Sequence, residues 1–150
     1  MEKESKSAGA ITYRGVVYPW QCDHMGHMNV MWYTSKFDEA TWNLFAQIGI
    51  TPTYIRERKL GMAAVQQNTA YKKELSPGDV VTVRSRILEV REKVIRFEHA
   101  LTNGDAGEVA ATTELTAVHL DLVTRKSRPF PPDILEHARC MAKRHGCQPS

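Results

Sequence analysis

Long apolar segments are absent from this 150-residue sequence. It contains no run of about 20 apolar residues, the length that a membrane-spanning helix needs, so we expect no membrane anchor. Residues 1–10 are polar and charged and lack the apolar core of a secretory signal, and we expect them to form a disordered tail. Net charge is also small, at +3, and gives no indication of nucleic-acid binding.

Cysteine is scarce as well. The three cysteines, Cys22, Cys140 and Cys147, are an odd number and lie far apart in the sequence. A chain of this length buries enough surface to fold without disulfide bonds, and unpaired cysteines are typical of a reducing compartment. We therefore expect a cytoplasmic protein with one folded domain over residues 11–150.

The most informative segment is CDHMGHMN, Cys22–Asn29, together with the helix predicted after it. Apolar residues then recur every three to four positions, at Tyr33, Phe37, Ala40, Leu44 and Ile48. This spacing predicts a helix from Asn29 to Ile48 with one buried face, capped by Asn29 and ended by Gly49. Asp23 thus lies just before a helix amino terminus, where free N–H groups and the helix dipole favour negative charge, an arrangement that suits acyl transfer.

The remaining elements are mostly strands. Segments rich in β-forming residues are Ile11–Tyr18, Ala63–Leu75, Val80–Val90, Val94–Leu101 and Val109–Leu122. A second amphipathic helix is predicted between Asp133 and Gly146. This order predicts an α+β domain, in which the long helix packs on the concave face of a mostly antiparallel sheet whose last four strands follow one another in meander-like succession.

The segment Trp20–Ile50 resembles the start of the 4-hydroxybenzoyl-CoA thioesterase family, in which an Asp-x-x-Gly-(His)-x-(Asn) loop precedes the central helix. The resemblance continues through Tyr71–Asp79 (YKKELSPGD), Leu88–His99 and His119–Pro132. It implies the hot-dog fold, in which a five- to six-stranded sheet wraps around one long central helix, here with an additional C-terminal helix. It also implies homodimers or homotetramers with active sites at the interface between protomers.

The activity that the resemblance implies is hydrolysis of an acyl-CoA thioester. Asp23 matches the catalytic carboxylate, as nucleophile or general base, and the N–H of Val30 is the group that would polarise the carbonyl. We assign His27 to the catalytic set as well. Substrate binding is assigned to Gly26, Asn29, Tyr33, Gln67 and Asn68, and binding of the CoA phosphates to Arg91, Lys93, Arg125 and Arg128. Coenzyme A enters as part of the substrate, and we expect no cofactor.

Each of these residues also has a structural interpretation. By its position alone, Asp23 is an ordinary turn residue, and His27 either orients the loop or positions the water or the thioester. Gln67 and Asn68 belong either to an acyl pocket or to an exposed sheet face. Two acids in the middle of the helix, Asp38 and Glu39, either form a solvated or interface-paired face or assist Asp23.

Three other functions are weaker alternatives. A metal site would need Cys22, Asp23, His24 and His27 to close around one ion within six residues, and we expect none. An enoyl-CoA hydratase or dehydratase of the same fold also pairs a carboxylate with a histidine. A non-catalytic acyl-CoA binding module would use the same fold without the chemistry.

Overall fold

One long helix and five strands form most of the structure, a computed structural model that describes residues 9–105 and 107–146. The strands are Ala10–Val16 (β1), Leu60–Tyr71 (β2), Val80–Val90 (β3), Val94–Asn103 (β4) and Val109–Asp121 (β5). The helices are Val30–Gln47 (α1), Pro52–Arg58 (α2) and Pro132–Arg144 (α3). The predicted tail lies outside the described residues, except that Gly9 precedes β1 and Ala10 begins it.

All five strands are antiparallel, in the order β1-β3-β4-β5-β2. The predicted meander is therefore correct for β3, β4 and β5 but wrong for β2, which pairs with β5 at the far edge of the sheet. The predicted bounds of β2, Ala63–Leu75, are also wrong. The strand begins at Leu60 and ends at Tyr71, because the next two N–H groups both turn to donate to the carbonyl of Ala110.

The core lies between α1 and one face of the sheet. Alternate residues of the two central strands are fully buried there, as their period-two pattern predicts: Val81, Val83, Ser85 and Ile87 on β3, and Ile95, Phe97, His99 and Leu101 on β4. The predicted stripe of α1 is buried against them. The expectation of one long helix packed on a mostly antiparallel sheet is confirmed.

Local signals set both ends of α1. The side chain of Asn29 accepts a hydrogen bond from the Met31 N–H at 3.0 Å, which satisfies one of the free groups of the first turn. Gly49 ends the helix with φ of +101°, and a Cβ there would lie 2.9 Å from the side chain of Ile134. Among the described residues, no helix is long and apolar enough to cross a bilayer.

Candidate active site

The loop before α1 is a short, closed hairpin. Cys22 and Met28 form an antiparallel bridge, and the Asp23 N–H donates to the His27 carbonyl at 3.1 Å. The turn between them requires Gly26, whose φ is +89°, although nothing lies within 4 Å of where its Cβ would be. The Asn29 N–H then donates to the Gln21 carbonyl at 2.9 Å, so the hairpin closes directly on the first turn of α1.

The Asp23 carboxylate lies in the hairpin and the Val30 N–H in the first turn of α1, and these two segments meet at this corner. Asp23 is partly exposed, and its Oδ1 accepts a hydrogen bond from the Met25 N–H at 2.9 Å. Val30 is the first residue of α1, so its N–H has no acceptor within the helix. The corner thus combines a carboxylate with a donor that is oriented along the positive end of the helix dipole.

The other predicted residues of the motif have structural contacts. The Nδ1 atom of His27, a partly exposed residue, lies 3.4 Å from a carboxylate oxygen of the exposed Glu74. Tyr33 is buried, and its hydroxyl donates to the carbonyl of Lys73 at 3.2 Å. Burial raises the pKa of this tyrosine. These contacts attach the segment after β2 to the loop and to α1.

A cavity of about 110 Å³ lies beside α1, against the face of the sheet formed by β2, β4 and β5. It is lined by Thr34, Phe37, Asp38, Thr41, Trp42, Phe45, Met62, Ala64, Gln67, Phe97, Leu115 and Ala117. Gln67 reaches it because β2 has an irregularity at Val65, which brings Ala64 and Gln67 to the same face. Asn68 does not line the cavity, and its carbonyl accepts a hydrogen bond from Thr113.

Of the helix residues that line this cavity, only Asp38 was considered for a functional role from the sequence, as an acid that either forms a polar face or assists Asp23. Thr34, Asp38 and Trp42 follow Val30 at intervals of four residues, so successive members lie one turn apart on the same side of α1. That spacing is visible in the sequence and marks a stripe that begins at the predicted carbonyl-binding N–H. The apolar pattern of α1 did not reveal this second stripe, because its residues are polar or amphipathic and lie beside the apolar stripe.

A buried histidine supports the wall of the cavity. The Thr41 hydroxyl donates to the Phe37 carbonyl, so it must accept from Nε2–H of His99, at 2.8 Å. The Nδ1 atom of His99 then accepts from the hydroxyl of Ser85 at 2.6 Å. Burial lowers the pKa of His99 to about 3, and it is therefore neutral at physiological pH.

The predicted CoA-binding residues form one group at the far end of the sheet. The Lys93 carbonyl accepts from the His119 N–H at 2.8 Å, and the His119 carbonyl accepts from the Arg128 N–H at 2.9 Å. Arg91 lies in the turn before Lys93, and Arg125 lies in the turn after β5. The structure thus brings the two basic clusters together.

Within one chain, this basic group is remote from Asp23. The loop that contains Asp23 lies at the start of β3, where Val17 N–H donates to the carbonyl of Asp79, whereas Arg91 follows the end of the same strand. The rise per residue places the two ends of β3 roughly 33 Å apart. No group of three or more metal-ligating side chains occurs in the part of the chain that the structure describes.

The family model of the thioesterase-like superfamily matches residues 17–137. The chain belongs to this superfamily. Betainyl-CoA thioesterase of Pseudomonas aeruginosa is 27% identical over 138 residues, which cover 92% of this chain and 87% of that protein. The predicted relationship is therefore confirmed, and thioester hydrolysis is an activity of the family to which the chain belongs.

Solved structures agree with the fold. A protein of Staphylococcus aureus in complex with CoA superposes with a TM-score of 0.85 at 23% identity, covering 94% of this chain and 89% of that chain. A putative thioesterase of Pseudomonas putida KT2440 superposes with a TM-score of 0.79 at 27% identity, covering 95% and 92%. The predicted hot-dog fold is confirmed, with five strands and three helices.

Proposed function

We propose that this protein is an acyl-CoA thioesterase that adds water across the thioester bond and releases a carboxylic acid and the CoA thiol. The observation that carries the proposal is the corner at the start of α1. There the Cys22–Met28 bridge closes the loop that contains the Asp23 carboxylate, and α1 begins two residues after Met28 with the free N–H of Val30. Neither the carboxylate nor the N–H requires a cofactor for this reaction.

The two groups have complementary roles. The thioester carbonyl oxygen accepts a hydrogen bond from the Val30 N–H, and the helix dipole stabilises the negative charge that develops on that oxygen. Asp23 then either attacks the carbonyl carbon, giving an anhydride that water hydrolyses, or removes a proton from the attacking water. Both routes expel the CoA sulfur. We assign His27 the role of orienting the water or the thioester.

The edge strand β2 supports assembly of two copies into a homodimer. Residues 63–68 are exposed on both faces of the strand, and β2 contains no charged residue over its length. A long, uncharged sheet edge is an energetically favourable surface for pairing with another strand, and proteins that remain monomeric usually protect it with charge or proline. We propose that β2 pairs antiparallel with β2 of a second copy, with a tetramer as a further assembly.

This dimer would bring the basic group of one copy close to Asp23 of the other, although the two are far apart within one chain. Antiparallel pairing of two β2 strands places the Leu60 end of one copy beside the Tyr71 end of the other. The basic group of Arg91, Lys93, Arg125 and Arg128 lies at the Leu60 end, and the Asp23 loop lies at the Tyr71 end. One copy would therefore hold the CoA phosphates by charge-assisted hydrogen bonds, while the other supplies the carboxylate.

Substitution of Asp23 by asparagine tests the chemistry. The amide oxygen of Asn still accepts from the Met25 N–H, so the turn is retained, but the group can neither attack the carbonyl nor accept a proton. We expect kcat to fall by ~100-fold or more, the usual contribution of a general base or nucleophile. Release of the CoA thiol from a panel of acyl-CoA esters is the measurement, and betainyl-CoA is included because it is named in the related enzyme.

Asp79→Asn is the matched control. Asp79 also accepts a backbone hydrogen bond in a turn, from the Ser76 N–H at 2.8 Å, but it is not part of the Asp23 corner. Wild-type kcat in Asp23→Asn, or an equal loss in both variants, would reject Asp23 as the catalytic group. Tight binding of acyl-CoA without any thiol release by the wild-type protein would instead indicate a non-catalytic binding module.

A further inference from the structure

The cavity beside α1 combines aromatic rings with a single ionisable side chain. Of the residues that line it, Phe37, Trp42, Phe45 and Phe97 are aromatic and only Asp38 carries a charge. The rings of Trp42 and Phe45 meet edge to face with centroids 5.6 Å apart, and those of Phe45 and Phe97 do so at 5.5 Å. No lysine or arginine lines the cavity.

The carboxylate of Asp38 is not used by the fold. It has no hydrogen bond or ion pair with any residue in the ranges 9–105 and 107–146, and it is exposed. The adjacent carboxylate, Glu39, is oriented differently: its charge acts on Tyr13 and Lys36, at the β1 side of α1. Asp38 is therefore available to a ligand in the cavity, and Glu39 is not.

This combination of groups favours a cation. The faces of aromatic rings attract positive charge, and proteins commonly bind quaternary ammonium groups in this way because these cations have no N–H with which to donate a hydrogen bond. A carboxylate next to such rings adds a direct Coulombic attraction. A neutral acyl chain would gain the apolar contacts but would leave the negative charge of Asp38 without a counter-ion.

The size of the cavity favours a compact group. Its volume of about 110 Å³ is smaller than the ~150 Å³ cavity that holds a benzene molecule in a well-studied case. The volume matches a group of a few heavy atoms better than a long alkyl chain. A trimethylammonium group, with four heavy atoms, is of suitable size and spherical shape.

The position of the cavity fits the end of an acyl group. Thr34 and Asp38 lie one and two turns beyond Val30, roughly 6 and 12 Å along the helix axis. Helical side chains lean toward the amino terminus, which shortens the gap to the carbonyl. A group bound near Thr34 and Asp38 is thus connected to the thioester through a spacer of a few atoms, and Trp42, one turn further along α1, lies at the far end of the cavity.

We propose that this cavity is the acyl subsite and that Asp38 and Trp42 select acyl groups that end in a quaternary ammonium cation. This inference rests on the proposed function, since it assigns the substrate class of the same enzyme. Asp38 supplies the counter-charge, and Trp42 supplies a ring face against the methyl groups. Both are specificity-determining residues and take no part in bond breaking.

The test compares each cationic ester with its neutral carbon isostere, in which a tert-butyl group replaces trimethylammonium. Two spacer lengths are used, trimethylammonioacetyl-CoA and γ-trimethylammoniobutyryl-CoA, each beside its isostere. For at least one spacer we expect the wild-type protein to prefer the cation by about tenfold in kcat/KM, the size of effect that these contacts provide at a partly exposed site. Asp38→Asn is expected to abolish most of this preference, and Glu39→Gln to retain it.

The tryptophan is tested in parallel. Trp42→Leu keeps an apolar side chain but removes the ring, and we expect it to lower the preference for the cation; Trp42→Phe keeps a ring and retains more of it. A wild-type ratio near one for both spacers overturns the inference. So does an Asp38→Asn variant that loses the cationic and neutral esters equally, because that pattern indicates a role in catalysis or folding.

Calorimetric binding of the same esters to Asp23→Asn separates this inference from the proposed function. If no ester is hydrolysed by the wild-type protein, the thioesterase assignment fails, yet the ratio of dissociation constants still reports on Asp38. If neutral esters are hydrolysed and the cationic ester is not preferred to its isostere for either spacer length, only the assignment of the acyl subsite fails. A preference in binding that disappears in Asp38→Asn supports the subsite in either case.

Discussion

The buried His99 makes a sharp prediction about stability as a function of pH. In the folded protein, burial lowers its pKa to about 3, whereas the unfolded chain has the ordinary value of about 6.5. Between these values the unfolded state binds a proton that the folded state does not. The free energy of unfolding must therefore fall as the pH falls through this window, and it is unaffected by His99 above it.

The magnitude follows from the two pKa values. Each pH unit within the window corresponds to about 1.4 kcal/mol, and pH 5 lies about 1.5 units below the unfolded value, so acidification from neutral pH removes about 2 kcal/mol. Solvent screening does not reduce this value, because His99 is fully buried and its two ring nitrogens contact only the hydroxyls of Thr41 and Ser85. This is a sizeable part of the total stability of a typical domain, about 5–15 kcal/mol.

Urea unfolding followed by tryptophan fluorescence at several pH values measures the effect. Protein concentration must be constant, since dimerisation would add to the apparent stability. His99→Gln is expected to be less stable at neutral pH but to lose about 2 kcal/mol less on acidification to pH 5. Burial also lowers the pKa of His119 and His145. Because the wild-type protein and His99→Gln both retain these two histidines, the difference between their slopes of unfolding free energy against pH isolates the contribution of His99.

The control is His24→Gln, at an exposed position in the loop, which should keep the wild-type slope. Equal pH dependence of the free energy of unfolding in the wild-type protein and His99→Gln would refute the argument. It would mean either that His99 accepts a proton in the folded state or that the core opens before it titrates.

Two further predictions concern CoA and assembly. Arg91 is 64% exposed at the basic end of the sheet, so Arg91→Ala should raise KM for an acyl-CoA more than for the corresponding acyl-pantetheine, which lacks the nucleotide phosphates. Arg139→Ala on α3 is the control. Equal effects of Arg91→Ala on the two esters would show that Arg91 does not bind the phosphates. Val65 is 62% exposed on the edge of β2, and Val65→Lys should reduce both the molecular mass by light scattering and the rate of thiol release. A wild-type protein that is already monomeric and fully active would contradict the proposed interface.

Elements with local signals were predicted from the sequence to within a residue or two. α1 was expected between Asn29 and Ile48 and is Val30–Gln47, with those two residues as its caps. The cap of Asn29 and the positive φ of Gly49 are interactions of near neighbours in the chain, so the sequence contains them directly. The alternation on β3 and β4 is similarly local.

Features that depend on distant segments were not predicted. The end of β2 is set by its pairing with β5. The apolar residue Leu75, taken as part of the strand, is instead buried in a cluster with Met28 and Tyr33, and its carbonyl accepts from the Met28 N–H. The grouping of Arg91 with Arg128 likewise depends on two turns that meet only in the folded sheet.

The sequence by itself determined the carboxylate-bearing loop and the helix that follows it, because each is specified by residues within a few positions of one another. It indicated the type of fold through the order of its elements and the family resemblance of segments between Trp20 and Pro132. Only the tertiary structure decided which strand forms the free edge and which side of α1 borders the cavity. Those properties depend on the order of strands and on packing between segments far apart in the chain. A periodic pattern shows that one face of a helix is buried, but it does not show what lies beside that face.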